Sequence, residues 1–456
     1  MFLSILTTIG LIIIGVLLFL LIIFFHEGGH FIAAKKSGVQ VNEFSLGMGP
    51  KIISFKKGET QYSLRLLPIG GYCSMEGEDE ESENPRAFNN AKVWKRMIII
   101  IAGAVMNIIL GFIMMFTIVV QSPEYNSTTV SGFSEVSFSA NSGLQKGDTF
   151  KTINNYSIVT AQDMSFAIAT TKCKTVDGSL LSIYKEDCSL YLCELYGNLY
   201  NDKDFSKKTE QLNKIYALLK EGVSKINAAE SKSEAHKIYI EYYDKMEIAA
   251  GISDYKIPEI KERKTRQRFV TDAEVLRDGK LVKIKNLEFY TYLSDKDAKE
   301  PSVSIDFYVE PIKKTFGTVM EQTGAQTVST IRMVWSSIIG LVQGQFSFKD
   351  ISGPVGAASA ITQVASEGLK SSFGDAVNNI LYVMMIITVN LGIFNMLPFP
   401  ALDGGRFLFL LIEAIFHKPI PRKVEKIVNA VGLVILLTFM AVITFKDIWQ
   451  LTPFGK

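Results

Sequence analysis

Four stretches of this sequence carry no charged residue and are long enough to cross a bilayer, and no other feature constrains the fold as tightly. Residues 1–25 read MFLSILTTIGLIIIGVLLFLLIIFF, without one ionisable side chain; the others are Met97–Val120, Ala376–Leu402 and Ile427–Phe445. Each exceeds the roughly 18 apolar residues at which a membrane helix becomes the default reading. In lipid every backbone N–H and C=O must pair inside its own segment, so such blocks are expected to be helical. A buried helix of a large soluble protein accounts for one block, hardly for four. Mean hydropathy is +0.20 although 21% of residues are charged, so charge and apolarity are segregated along the chain. With 48 Lys+Arg against 46 Asp+Glu there is no basic excess to neutralise phosphates, which excludes a nucleic-acid binder of the usual kind.

The first block lacks the basic n-region and small-residue cleavage site of a secretory signal, and it runs directly into His26-Glu27, so it is expected to stay as a helix. Basic residues set the orientation. Lys35, Lys36, Lys51, Lys56, Lys57, Arg65, Arg86, Lys92, Lys95 and Arg96 lie between the first two blocks, diluted by six acids between Glu76 and Glu83. Arg406, Lys418, Arg422, Lys423 and Lys426 lie between the last two. Both connections are expected to be cytoplasmic, which puts Gln121–Asp375 and both termini outside. Met333–Phe348 is apolar but short, with Trp335 and several polar residues, and is expected to be interfacial or re-entrant.

His26-Glu27-Gly28-Gly29-His30 is an H-E-x-x-H motif at the end of the first block. Histidines at i and i+4 share one helix face and can grip one Zn²⁺, while the glutamate stands where it can take a proton from the attacking water. Polar groups on the end of an apolar helix are expensive in lipid and read as functional. Catalytic zinc needs a third protein ligand. Blocks one and three run in the same direction, so Asp403, which follows the third, reaches the same membrane face as the histidines. Pro398 and Pro400 break the helix just before it, as tolerated where the chain lines a wet cavity.

The helix-borne H-E-x-x-H together with Asn395-x-x-Pro398-x-Pro400-x-Leu402-Asp403-Gly404 resembles the site-2 protease family of intramembrane zinc metalloproteases, in its bacterial PDZ-containing branch. Gly47-Met-Gly49-Pro50, Pro68-Ile-Gly70-Gly71-Tyr72 and Ser352-Gly353-Pro354-Val355-Gly356 extend the likeness over most of the chain. The resemblance implies that His26, His30 and Asp403 hold Zn²⁺, that Glu27 activates water and that Asn395 positions or polarises the scissile amide. It further implies substrate contacts at Gly47, Gly49, Pro398 and Pro400. The implied substrate is a single-span membrane protein already cut outside by a site-1 protease, such as a membrane-bound anti-sigma factor, or a leftover signal peptide. The implied setting is a cell membrane, with the active site near the cytoplasmic side.

Between the first two blocks, Lys51–Leu66 reads as a β-hairpin with Gly58 in its turn, within a membrane-associated hairpin region 40–72. Its edge could hold an unwound substrate by strand addition. Outside, Val130–Met164 looks like a PDZ fragment, and Val270–Phe289 supplies a closing strand pair around Asp278-Gly279. Between them, about residues 172–265, a charged segment with Leu212, Ile215, Leu218 and Leu219 at helical spacing reads as an inserted helical hairpin. The expected fold class is thus a polytopic α-helical membrane protein with about four transmembrane helices, a membrane-associated β-hairpin and an extracytoplasmic PDZ-like α+β domain carrying a helical insertion. The expected divisions are 1–124, 125–305 and 306–456. Cys173, Cys188 and Cys193 fall outside and allow at most one disulfide, whereas Cys73 is cytoplasmic. His236 and His417 are isolated and are expected on the surface. A silent scaffold that captures protein tails has no need of all four motif residues. A transporter with a midplane metal predicts repeats and paired broken helices, and the sequence has one broken helix and no repeat.

Overall fold

The computed structural model describes the chain except residues 1, 79, 81, 171–173, 178, 203–204, 206, 253–256, 261–264, 293–301, 345–350 and 452–456. The chain divides into two units, Met1–Pro123 with Lys314–Lys456, and Glu124–Lys313. In chain order the first unit opens with α1 (Phe2–Ser37), β1 (Val41–Lys57), β2 (Thr60–Met75) and α2 (Val93–Val119). The second holds β3 (Glu124–Phe133), α3 (Phe138–Asn141), β4 (Thr149–Ile153), β5 (Tyr156–Ser157), α4 (Ala161–Ala169), β6 (Lys174–Asp177), α5 (Leu180–Asn201), α6 (Thr209–Ala228) and α7 (Lys232–Ala250). It ends with β7 (Thr265–Arg277), β8 (Lys280–Tyr292), β9 (Ser302–Ser304) and β10 (Phe307–Lys313). The first unit then resumes with α8 (Phe316–Val342), α9 (Pro354–Leu369), α10 (Phe373–Asn395), α11 (Asp403–Phe416) and α12 (Arg422–Leu451).

Among the described residues four helical segments are long and apolar enough to cross a membrane: Ile13–Ser37, Val93–Val119, Phe373–Asn395 and Arg422–Gln450. None coincides with its uncharged block: α2 begins at Val93, and α12 runs from Arg422 to Leu451 through the charged flanks of the fourth block. The first helix runs on through His26 and His30 to Ser37 although Gly28 and Gly29 are poor helix formers, so packing against α2 rather than propensity carries it. The third block is no single helix to Leu402; α10 ends at Asn395, and Met396–Leu402 loops before Asp403 opens α11. Prolines 398 and 400 supply no N–H for a continuing helix. The short segment from Met333 is the latter half of the 27-residue α8, and its residues 345–348 lie outside the described set.

Within this unit α2 packs against α1, α10, α8 and α11. Small residues make that possible. A Cβ on Gly29 of α1 would lie 2.3 Å from the Ala102 carbonyl oxygen of α2, and one on Gly111 of α2 would lie 2.7 Å from Val389 of α10. The Ser352–Gly356 motif has a local cause: Asp447 of α12 accepts the N–H groups of Gly353 and Gly356, both at 2.8 Å, which caps the start of α9.

The β1–β2 element is more than a plain hairpin. Residues 43–46 have partners 74–71 on one side and 61–64 on the other, while Lys51–Lys57 lie opposite Arg65–Thr60. The two long strands therefore bend into four short segments, with Gly71–Met75 on an outer edge, and the structure extends past residue 72 to Met75. Gly47 and Gly49 stand at the bend of β1 with φ of +80° and +84°. Arg65 holds the bend by donating to Gly49 O (2.7 Å), Ser45 Oγ (3.0 Å) and Glu43 (3.0 Å). At the turn, Arg86 and then Lys35 bind Glu59 and hold its carboxyl down at about 2.

The second unit is built on a sheet ordered β10-β3-β4-β7-β8-β9, with β5 beside β4 and β6 beside β7. Its core gathers Val130, Phe150, Ile153, Phe269, Leu287, Phe289 and Phe307. Asp278 and Gly279 both have positive φ, as a two-residue hairpin joining β7 to β8 requires. The expected division at 305 falls short, because β10 pairs with β3 and Phe307 enters the core. The insertion contains three helices, not two: α5, α6 and α7 close around Leu192, Ile215, Leu219, Tyr239 and Tyr242. Arg268 of β7 ties the insertion to the sheet, reaching Glu186 of α5 at 2.6 Å and Glu288 of β8 at 2.7 Å. His236 is half-buried with Tyr184 Oη at 2.6 Å, unlike the exposed His417. Cys188 and Cys193 carry free thiols, and Cys173 lies outside the described residues.

Candidate metal centre and hydrolytic site

Three side chains from two distant parts of the sequence converge in the first unit. His26 and His30, one turn apart on α1, set their rings 4.9 Å apart and almost perpendicular. The break after Asn395 swings the chain round so that Asp403, first residue of α11, faces them. Its Oδ2 lies 3.3 Å from His26 Nε2 and 3.3 Å from His30 Nε2, and the two Nε2 atoms are 3.4 Å apart. A tetrahedral zinc with bonds of about 2.0–2.1 Å spaces its ligand atoms roughly 3.3–3.4 Å apart, so the triangle has the edge lengths of a zinc site. Asp403 Oδ2 is also buried without a hydrogen-bond donor among the described residues. A buried carboxylate oxygen so placed is costly unless a cation satisfies it. The donor set, two imidazoles and one carboxylate, is that of a catalytic zinc with one position left for water. The residues fit the metal.

Helix α2 forms the back wall. His30 Nδ1 donates to Ile99 O at 2.8 Å, which leaves its Nε2 lone pair facing the site. Gly103, one turn on, lies under both rings: a Cβ there would come within 2.4 Å of His30 Nε2 and 2.8 Å of His26 Cε1. A further turn on, fully buried Asn107 has its amide nitrogen 3.2 Å from His26 Nδ1. Reading the sequence singled out neither Gly103 nor Asn107. The one available signal was an asparagine in an otherwise apolar span.

In front, a cavity of about 490 Å³ is lined by His26, Glu27, His30 and Asp403 together with Tyr72–Met75 of β2. Gly71 is needed there, since a Cβ would meet Glu27 Cγ at 3.2 Å and Ile23 at 2.8 Å. Asn395 brings Nδ2 to 3.3 Å from His26 Nε2. Burial first, and the Glu27 carboxylate second, push the Cys73 thiol upward. A second cavity of about 470 Å³ shares Glu78, Ile100 and Arg406 with the first, and the Arg406–Glu78 ion pair stands where the two meet. Gly47, Gly49, Pro398 and Pro400 are not among the residues lining the first cavity. The glycines bend β1, and Pro400 lies against Gly432 of α12.

Helices that span a membrane, with a zinc-type triad and an adjacent glutamate at one end of a span, define a membrane metallopeptidase. The chain belongs to peptidase family M50, the site-2 protease family, whose sequence profile matches residues 14–439. It is 30% identical over 437 residues to a Clostridium acetobutylicum protein named for zinc metalloprotease activity, covering 96% of this chain and 97% of that one. It is 28% identical to the regulator of sigma-W protease RasP of Bacillus subtilis, over 96% of this chain and 97% of the relative. The zinc metalloprotease RasP of Bacillus licheniformis is likewise 28% identical, over 96% and 98%. The protein is therefore a multi-pass intramembrane zinc metalloprotease.

Proposed function

We propose that this protein cuts a membrane-spanning segment of a single-span protein, with His26, His30 and Asp403 holding zinc and Glu27 as the catalytic base. The observation that carries the proposal is the 3.3, 3.3 and 3.4 Å triangle of donor atoms in one cavity with Glu27. Zinc in that position supplies a Lewis acid for the scissile carbonyl and brings the pKa of attacking water to about 7. Glu27 takes the water proton as the C–O bond forms, and then hands it to the amine nitrogen as the amide C–N bond breaks. Asn395 turns its amide toward the scissile peptide and orients it. The Gly71–Met75 edge pairs with the substrate once its helix has unwound, holding it extended across the triad.

Substrates of this kind arrive shortened on the outside by a site-1 protease. The name of the Bacillus subtilis relative favours a sigma-factor regulator as the substrate, with remnant signal peptides as a second class. In this reading the triad lies near the cytoplasmic side, supported by the basic residues of the two connections. The second unit lies outside as a PDZ-like filter that rejects substrates not yet trimmed. Glu27→Gln separates binding from chemistry. It is expected to retain zinc while cleavage of a single-span substrate falls by at least about 10²–10⁴-fold, the usual share of general acid–base catalysis. Normal cleavage by Glu27→Gln would remove the mechanism.

A further inference from the structure

The back wall of the triad holds a polar group that the mechanism has not used. Asn107 is fully buried on α2, and its Oδ1 has no hydrogen-bond partner among the described residues. Its Nδ2 is 3.2 Å from His26 Nδ1. A neutral imidazole carries one N–H. When Nε2 gives its lone pair to a metal, the proton sits on Nδ1, and Nδ1 must donate. An amide nitrogen cannot accept that bond, but a half-turn of the Asn107 amide brings the unpaired Oδ1 to the same place.

We propose that Asn107 is the positioning residue of His26: its Oδ1 accepts Nδ1–H, fixes the tautomer that leaves Nε2 free for zinc, and raises the ligand's basicity. The two histidines are then held in the same way from one helix, His30 by Ile99 O and His26 by Asn107 Oδ1, two turns apart on α2 with Gly103 between. Each metal-bound imidazole thus has an oxygen acceptor behind it, the usual support for such ligands. The inference rests on the zinc reading above and adds a group outside the motif residues.

The test is zinc affinity of the full-length protein in detergent, stripped of metal and titrated with zinc against a chromogenic chelator. Asn107→Leu keeps the branching and the number of side-chain heavy atoms and removes the acceptor; Asn107→Asp keeps both shape and acceptor. Asn107→Leu is expected to bind zinc about 10–100-fold more weakly, with an unchanged melting temperature of the stripped protein. Asn107→Asp is expected to bind at least as tightly as wild type. Wild-type affinity in Asn107→Leu would overturn the inference, and so would equal losses in both variants, which would mean that packing alone matters. Should Asn107→Asp fail to fold, Asn107→Leu against wild type decides. Asp403→Ala serves as the control: loss of zinc there with retention in Asn107→Leu removes the role of Asn107 and leaves the metal site standing. Zinc-free wild type would instead defeat the reading on which this one depends.

Discussion

The glycine under the two imidazoles shows how tightly the site is specified residue by residue. Gly103 offers 2.4 Å to a Cβ before His30 Nε2, well inside van der Waals contact, so Gly103→Ala has to push the rings off the metal position. It is expected to weaken zinc binding by about 10–100-fold, as do other disturbances of the groups that support metal-bound imidazoles, and chelator competition will measure it. His26, Glu27 and His30 were legible because their spacing is a chemical pattern within one helix. Asp403 was legible through topology, since two spans running the same way bring their ends to the same face. Gly103 and Asn107 were not, because their meaning is a contact across helices. In the sequence one is a small residue and the other a lone amide among apolar neighbours, and packing alone turns them toward the rings.

At the scale of elements, the proposed handling of substrate rests on β1 and β2. The turn at Gly58 was visible in the sequence, whereas the folding of β1 and β2 into four segments was not. That fold depends on Arg65 reaching Gly49 O and Glu43, partners 16 and 22 residues away. It leaves Gly71–Met75 as the edge beside Glu27. Proline in place of Tyr72, Cys73 or Ser74 in turn removes one N–H each. At the position whose N–H points away from β1, cleavage should slow up to about tenfold with zinc content unchanged, the loss of one strand-addition hydrogen bond. The far end of the element is tied by Glu59 to Arg86 and Lys35, and its carboxyl sits at about 2, below its unfolded value. The stabilisation is therefore complete above that unfolded value, roughly 4.3, and fades as pH falls toward 2. Hydrogen-exchange protection of residues 56–60, corrected for intrinsic rates, should fall across that window. Glu59→Gln should remove this pH dependence. The effect will be small, since the Arg86 side chain is 50% exposed.

At the scale of the whole molecule the proposed chemistry and the proposed selection fall in different units. All the residues proposed for hydrolysis lie in the unit made of residues 1–123 and 314–456. Replacing Glu124–Lys313 by a short linker is expected to leave peptide-bond cleavage intact and to admit untrimmed substrates, read from the size of the proteins cut. Loss of all cleavage in a folded, zinc-loaded variant would contradict a filtering role. Four spans were readable from hydropathy because lipid leaves the backbone no alternative. The three-helix insertion was harder: its helical spacing was visible, but the number of helices depends on how Tyr239, Tyr242 and Leu192 meet in a private core. The central claim is that His26, His30 and Asp403 grip a single hydrolytic zinc. Zinc stoichiometry of the purified full-length protein tests it most directly. One zinc per chain is expected in wild type and in Glu27→Gln, and none at the same free zinc in Asp403→Ala; a full equivalent held by Asp403→Ala with wild-type affinity would contradict the account.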